Sequence, residues 1–170
     1  LAHHRGRGSR RGRHRRRPGA AGRGARYGLR ALGGQVIRLV TGAGVDPLER
    51  FAAAELGRYL EALFATEVTH VAGEAAPAAV AQAGAVAAAR FFVGCPGSLA
   101  ACGPAAAVLR DVAFADQTIA IRSIPGAQVP ALVLSGGSPR AVLWAVYEYL
   151  RRCGVAYLLT EDVLPDPRPL

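Results

Sequence analysis

The chain has no lysine and no methionine, a single tryptophan and only three cysteines in 170 residues. Three cysteines cannot form a closed disulfide framework. The spacing from Cys95 to Cys102 matches no zinc pattern, and His70 is the only histidine beyond the first fourteen residues. Cys95, Cys102 and Cys153 therefore read as small hydrophobes. No uncharged apolar run reaches the roughly 18 residues that a membrane-spanning helix needs. The Ala-rich stretch from Ala75 to Ala89 is broken by Pro77 and Gly84 and is too weakly apolar to serve.

Acids are missing from the first 30 residues, which hold eleven arginines. Residues 31–170 carry ten arginines against twelve acids, so the net charge of +9 belongs to the N-terminal segment. Residues 5–17, RGRGSRRGRHRRR, offer no apolar side chain to offset ordering entropy, and residues 1–33 are expected to be disordered. Such a run can bind phosphate by counterion release, so weak, nonspecific nucleic-acid binding by this tail is an expectation. No aromatic interleaves its arginines before Tyr27, which leaves it no stacking platform. No apolar region of 7–15 residues follows the basic run, so a secretory signal is not supported, and localisation stays open.

Beyond the tail the hydrophobic pattern is that of a folded domain. Gln35 to Val40 alternates and predicts a strand. Asp46 then caps a helix whose first residue is Pro47, where a missing N–H costs nothing. Leu48, Phe51, Ala52, Leu56, Tyr59, Leu60, Leu63 and Phe64 recur at steps of three and four, with Glu49, Arg50, Arg58 and Glu61 opposite. Glu67–Val71 and Arg90–Gly94 read as short strands, and 74–89 as a loose helix or loop. A helix is expected near Pro104–Arg110, and Gln117–Ser123 with Ala131–Leu134 form a hairpin. Ser138 and Pro139 open a second strong helix with a stripe of Val142, Leu143, Val146, Tyr147 and Leu150. Gly154 stops it, Val155–Leu159 is a last strand, and 162–170 reads as a proline-rich linker. The sum is an α+β domain: a single mixed sheet with two main helices packed on one face. Leu56, Leu60, Leu143, Val146 and Leu150 are its expected core.

Two glycine turns invite a nucleotide reading. VIRLVTGAGVDP runs from a strand through Gly42 and Gly44 into a helix, but the third fingerprint position is Pro47, which has no N–H for a pyrophosphate. Gly136-Gly137-Ser138-Pro139 also opens a helix, but lacks the lysine of a P-loop. Both read as turns. Ser98 and Ser138 have no histidine to serve as base. A glycosidase needs two carboxylates about 5–10 Å apart in one cleft. Glu49 and Glu61 fall on the polar side of the first helix, Asp46 is a cap, Glu148 lies opposite the second stripe, Asp111 and Asp116 flank a strand, and Glu161 and Asp162 enter the exit. No catalytic, cofactor-binding or metal-ligating residue is assigned.

The order AAELGRYLEAL, RFFVG, then LVLSGGSPRAVLWAVYEYLRRCGVAYL and an exit near VLP resembles the N-terminal domain of bacterial α-glucuronidases, a relative of domain 2 of β-hexosaminidases. The match covers 34–165, leaving 166–170 as a linker, and is most specific over Gly136–Tyr157. The resemblance implies an accessory α+β domain abutting a TIM-like barrel that holds the catalytic carboxylates. It places the start of that barrel beyond the last residue here, so the chain reads as a fragment or a stand-alone copy without glycosidase activity of its own. Two alternatives stand beside it: a nucleic-acid-associated protein acting through its arginine tail, and a small nucleotide-binding α/β enzyme using Val40–Pro47.

Overall fold

The computed structural model describes residues 36–73 and 87–168. The tail expected over residues 1–33 and the ambiguous 74–86 lie outside the described residues. The order is β1 (Val36–Val40), α1 (Pro47–Phe64), β2 (Val68–Val71), β3 (Ala87–Val93), α2 (Gly103–Leu109), β4 (Ile119–Ser123), β5 (Ala131–Gly136), α3 (Pro139–Arg152), β6 (Ala156–Tyr157) and β7 (Asp162–Val163). Five strands form one mixed sheet in the order β2-β1-β3-β5-β4, with β4 antiparallel to β5 and the other pairs parallel. This is the expected α+β architecture with one main sheet.

Side-chain alternation divides the core in two. Ile37, Leu39, Phe91, Val93 and Leu134 point to one face, where Leu56, Tyr59 and Leu60 of α1 and Val142, Val146 and Leu150 of α3 cover them. Val40, Phe92 and Val133 point to the other, covered by Leu99, Cys102 and the short α2. The two main helices thus share a face and pack on each other, while α2 guards the reverse side.

Four expectations need correction. Phe51, assigned to the α1 stripe, is 49% exposed, because the sheet is met by Ala52, Leu56 and Tyr59 instead. Leu143 is only partly buried, one position off the line of Val142 and Val146. Strand β3 begins at Ala87, since Ala87 and Ala89 are small enough to lie buried in the sheet beside β1. The expected last strand shrinks to Ala156–Tyr157 and pairs with Asp162–Val163, in a two-stranded hairpin separate from the main sheet. The exit is therefore structured: the backbone N–H of Arg168 donates to the carbonyl of Leu63 at 2.9 Å.

Leu56, Leu60 and Leu150 have no exposed surface. Replacing any one with Ala should cost about 2–5 kcal/mol in urea unfolding, and Leu143→Ala about 1 kcal/mol. Equal losses at all four positions would show that the helix faces are misassigned.

Candidate functional site

The topology itself nominates one place. Strand β1 leads through α1 to β2 on one side and has β3 on the other, so its C-terminal end is a switch point, where open parallel sheets usually bind ligands. The loops meeting there are Thr41–Asp46 after β1 and Gly94–Ser98 after β3. Glu49 fills the space between them. Expected on the polar side of α1, it is 2% exposed. Its Oε2 accepts the backbone N–H of Asp46 at 2.8 Å, its Oε1 accepts the backbone N–H of Cys95 at 2.5 Å, and the Ser98 hydroxyl donates to the same carboxylate at 2.9 Å.

Local chemistry explains the placement. Asp46 caps α1 by accepting from the N–H of Leu48, and Glu49 at the third helical position returns a bond to the cap residue. This D-x-x-E box faces the β3 loop, so its second oxygen reaches across the sheet edge. Burial, with the Glu49 carboxylate alongside, pushes the Cys95 thiol up to about 12, which makes it a poor nucleophile at neutral pH. Gly42 is required by crowding: a Cβ there would lie 1.5 Å from the carbonyl oxygen of Ser98. The second glycine motif follows the same logic, since a Cβ on Gly137 would lie 1.8 Å from the carbonyl oxygen of Ala115. Both glycines admit a crossing backbone. At the switch point, Glu49 occupies the N–H groups of Asp46 and Cys95 and the hydroxyl of Ser98.

A second constellation lies where α1, α3 and the β6–β7 hairpin meet. The Tyr59 hydroxyl donates to the Asp162 carboxylate, and the Tyr147 hydroxyl donates to Glu55 Oε2 at 3.2 Å. The Tyr157 ring stands edge-on to both, with centroids 6.1 Å from Tyr59 and 5.2 Å from Tyr147. Arg58 lies over Tyr59 with its guanidinium carbon 4.1 Å from the ring centroid, and is itself bonded to Glu55. Burial, reinforced by the neighbouring carboxylates, raises the phenols of Tyr59 and Tyr147, so both stay protonated donors. Asp162, expected in a linker, is thus an anchor that bolts the hairpin to α1.

Beyond this anchor runs an open groove lined by Trp144, Tyr147, Tyr157, Glu148, Arg151, Arg152 and Ile119. Glu148 accepts from both Arg151 and Arg152, each at 2.8 Å. The two guanidinium groups hold its carboxyl at about 2. His70 is exposed at its strand and lies over Gly57. Among the described residues no group of three or more His, Cys, Asp or Glu is placed to hold a metal, and no helix is long and apolar enough to cross a membrane.

Sequence reasoning missed Glu49 and Glu55. The spacing from Asp46 to Glu49 is a capping-box signal, which could have placed Glu49 at the loop junction. Nothing local marks Glu55, whose partner Tyr147 is distant in sequence. The chain matches no known family model, and none of the curated proteins matches it either.

Two measurements check these sites. Glu49→Gln, which keeps the shape but cannot accept at both ends, should lose about 1–3 kcal/mol of stability, as for a buried donor left unsatisfied; a loss under about 0.5 kcal/mol would show that the carboxylate is not engaged. The Glu148 carboxyl should titrate by NMR near 2 instead of the ordinary 4.5. Its folded value is depressed, so the ion pairs favour the fold at neutral pH and cease to do so as pH falls through about 2. Arg151→Gln with Arg152→Gln should return the midpoint to the ordinary glutamate range.

Proposed function

We propose that this chain is a non-catalytic accessory domain of a carbohydrate-active glycoside hydrolase of α-glucuronidase or β-hexosaminidase type, whose work is to pack beside a catalytic barrel. The observation that carries the reading is the β6–β7 hairpin. Its first strand, Ala156–Tyr157, ends the Gly136–Tyr157 stretch on which the resemblance is most specific. The hairpin exposes Leu158, Leu159, Val163 and Leu164, with Leu159 wholly in solvent. A cluster of large aliphatic side chains is costly to leave in water and marks a contact surface. The Tyr59–Asp162 anchor fixes that cluster to the core, so a partner meets it already ordered.

On this reading the catalytic carboxylates belong to the barrel. Asp162 is held by Tyr59, Glu55 by Tyr147 and Arg58, and Glu49 by two backbone N–H groups and Ser98. Each is committed to holding the fold together. The isolated chain is expected to hydrolyse neither aryl glucuronides nor N-acetylglucosaminides.

The test is association in trans. Mixed with the isolated catalytic barrel of a bacterial α-glucuronidase, the protein should form a one-to-one complex in analytical ultracentrifugation, and the double substitution Leu158→Asp, Leu159→Asp should abolish it. Absence of a complex, together with a nucleic-acid shift that requires the eleven arginines of residues 1–30, would transfer the reading to a nucleic-acid-associated protein. Saturable ATP or NAD binding lost on altering Thr41–Asp46 would transfer it to a nucleotide enzyme.

A further inference from the structure

We propose that the groove between α3 and the β6–β7 hairpin is a binding platform for a neutral pyranose oligosaccharide. Its place in a carbohydrate-active protein rests on the accessory-domain reading above; its chemistry rests on the groove itself. A pyranose ring has an apolar C–H face and a belt of hydroxyls. Its binding site must pair aromatic surface with fixed, planar polar groups.

The groove has both. Trp144 and Tyr157 remain 41% and 38% exposed, a sizeable outlay of aromatic surface. The Tyr157 ring is held edge-on by Tyr59 and Tyr147, so little side-chain entropy is left to lose on binding. One turn along α3 from Trp144, Glu148 is pinned by N–H bonds from Arg151 Nε, Arg151 Nη2 and Arg152 Nε. The result is a fixed carboxylate acceptor between two planar guanidinium donors. Arg152 spends only its Nε on Glu148, which leaves its terminal nitrogens for a ligand hydroxyl. The space is about 400 Å³, within the range of small-molecule sites. From Trp144 to Arg151 the helix rises about 10 Å, a length suited to a short oligosaccharide.

Other occupants fit less well. Glu148 neutralises one of the two guanidinium charges, so the groove keeps only a single excess positive charge, a weak attraction for a phosphate backbone. Three charged side chains along one wall would be stripped of water by a wholly apolar partner. The exposed aliphatic cluster used for the domain contact, Leu158, Leu159 and Leu164, does not line the groove.

Trp144 is the only tryptophan in the chain, so its fluorescence reports the groove directly. The full chain should be titrated with xylohexaose and with cellohexaose in roughly 0.3 M salt, which screens the arginine tail. The expected result is a saturable change in emission with at least one of them. Calorimetry should agree, with Trp144→Ala weakening binding about tenfold or more and His70→Ala, exposed on β2 at the opposite edge of the sheet, leaving it unchanged. Absence of binding to both sugars, or binding that Trp144→Ala leaves intact, would overturn the proposal. The two readings fail separately. Sugar binding without the barrel complex removes the accessory-domain reading and keeps the platform; a barrel complex without sugar binding does the reverse.

Discussion

The carboxylate of Glu49 is the constraint on which the sheet edge depends. One side chain closes the α1 cap and ties the loop after β1 to the loop after β3. Without it, buried N–H groups from two loops would lack an acceptor at the place where the strand order reverses. Burying an ionised carboxylate is tolerable only because several donors meet it. The same arrangement determines what this edge can do. The N–H groups of Asp46 and Cys95 and the Ser98 hydroxyl are here spent on the fold.

The candidate contact surfaces lie toward the other end of α1. There Tyr59 and Tyr147 use their hydroxyls to hold Asp162 and Glu55, and Tyr157 wedges between α1 and α3. The hairpin that follows α3 is too small to stabilise itself, since a two-stranded ribbon is marginal in water. It persists because its strand residues are anchored into the helix pair. That anchoring lets the chain present aliphatic side chains on the hairpin and aromatic ones along α3 in fixed positions, which is what both the domain-contact and the oligosaccharide proposals use.

Much of the fold was legible because its signals are local. Asp46-Pro47 and Ser138-Pro139 announce both long helices, the period of Leu56, Leu60 and Leu63 identifies a buried face, and β-branched runs mark β1 and β4. What stayed hidden depends on distant contacts. Glu49 looks like a solvent-face acid until the β3 loop arrives with Cys95 and Ser98. Phe51 fits a helical stripe by spacing, but the sheet is met by Ala52, about 100° further round the helix. Asp162 sits among prolines that suggest a linker, and only Tyr59, far away in sequence, makes it an anchor. For the candidate sites, spacing alone shows that Pro47 departs from the dinucleotide fingerprint. The α3 groove went unread, because Trp144, Tyr147 and Glu148 become one surface only when Tyr157 folds back beside them.

The claim that Glu49 ties the two loops together at the switch point can be tested by native-state hydrogen exchange at two amides, Cys95 and Asp46. Both N–H groups end on the Glu49 carboxylate instead of a backbone carbonyl. If the account holds, both exchange as slowly as amides of the central strands β1 and β3, and both accelerate in Glu49→Gln while the strand amides keep the larger part of their protection. Exchange at the rate of an open loop in the unaltered protein would contradict it, and would return the β1–β3 edge to the list of places where a ligand can bind.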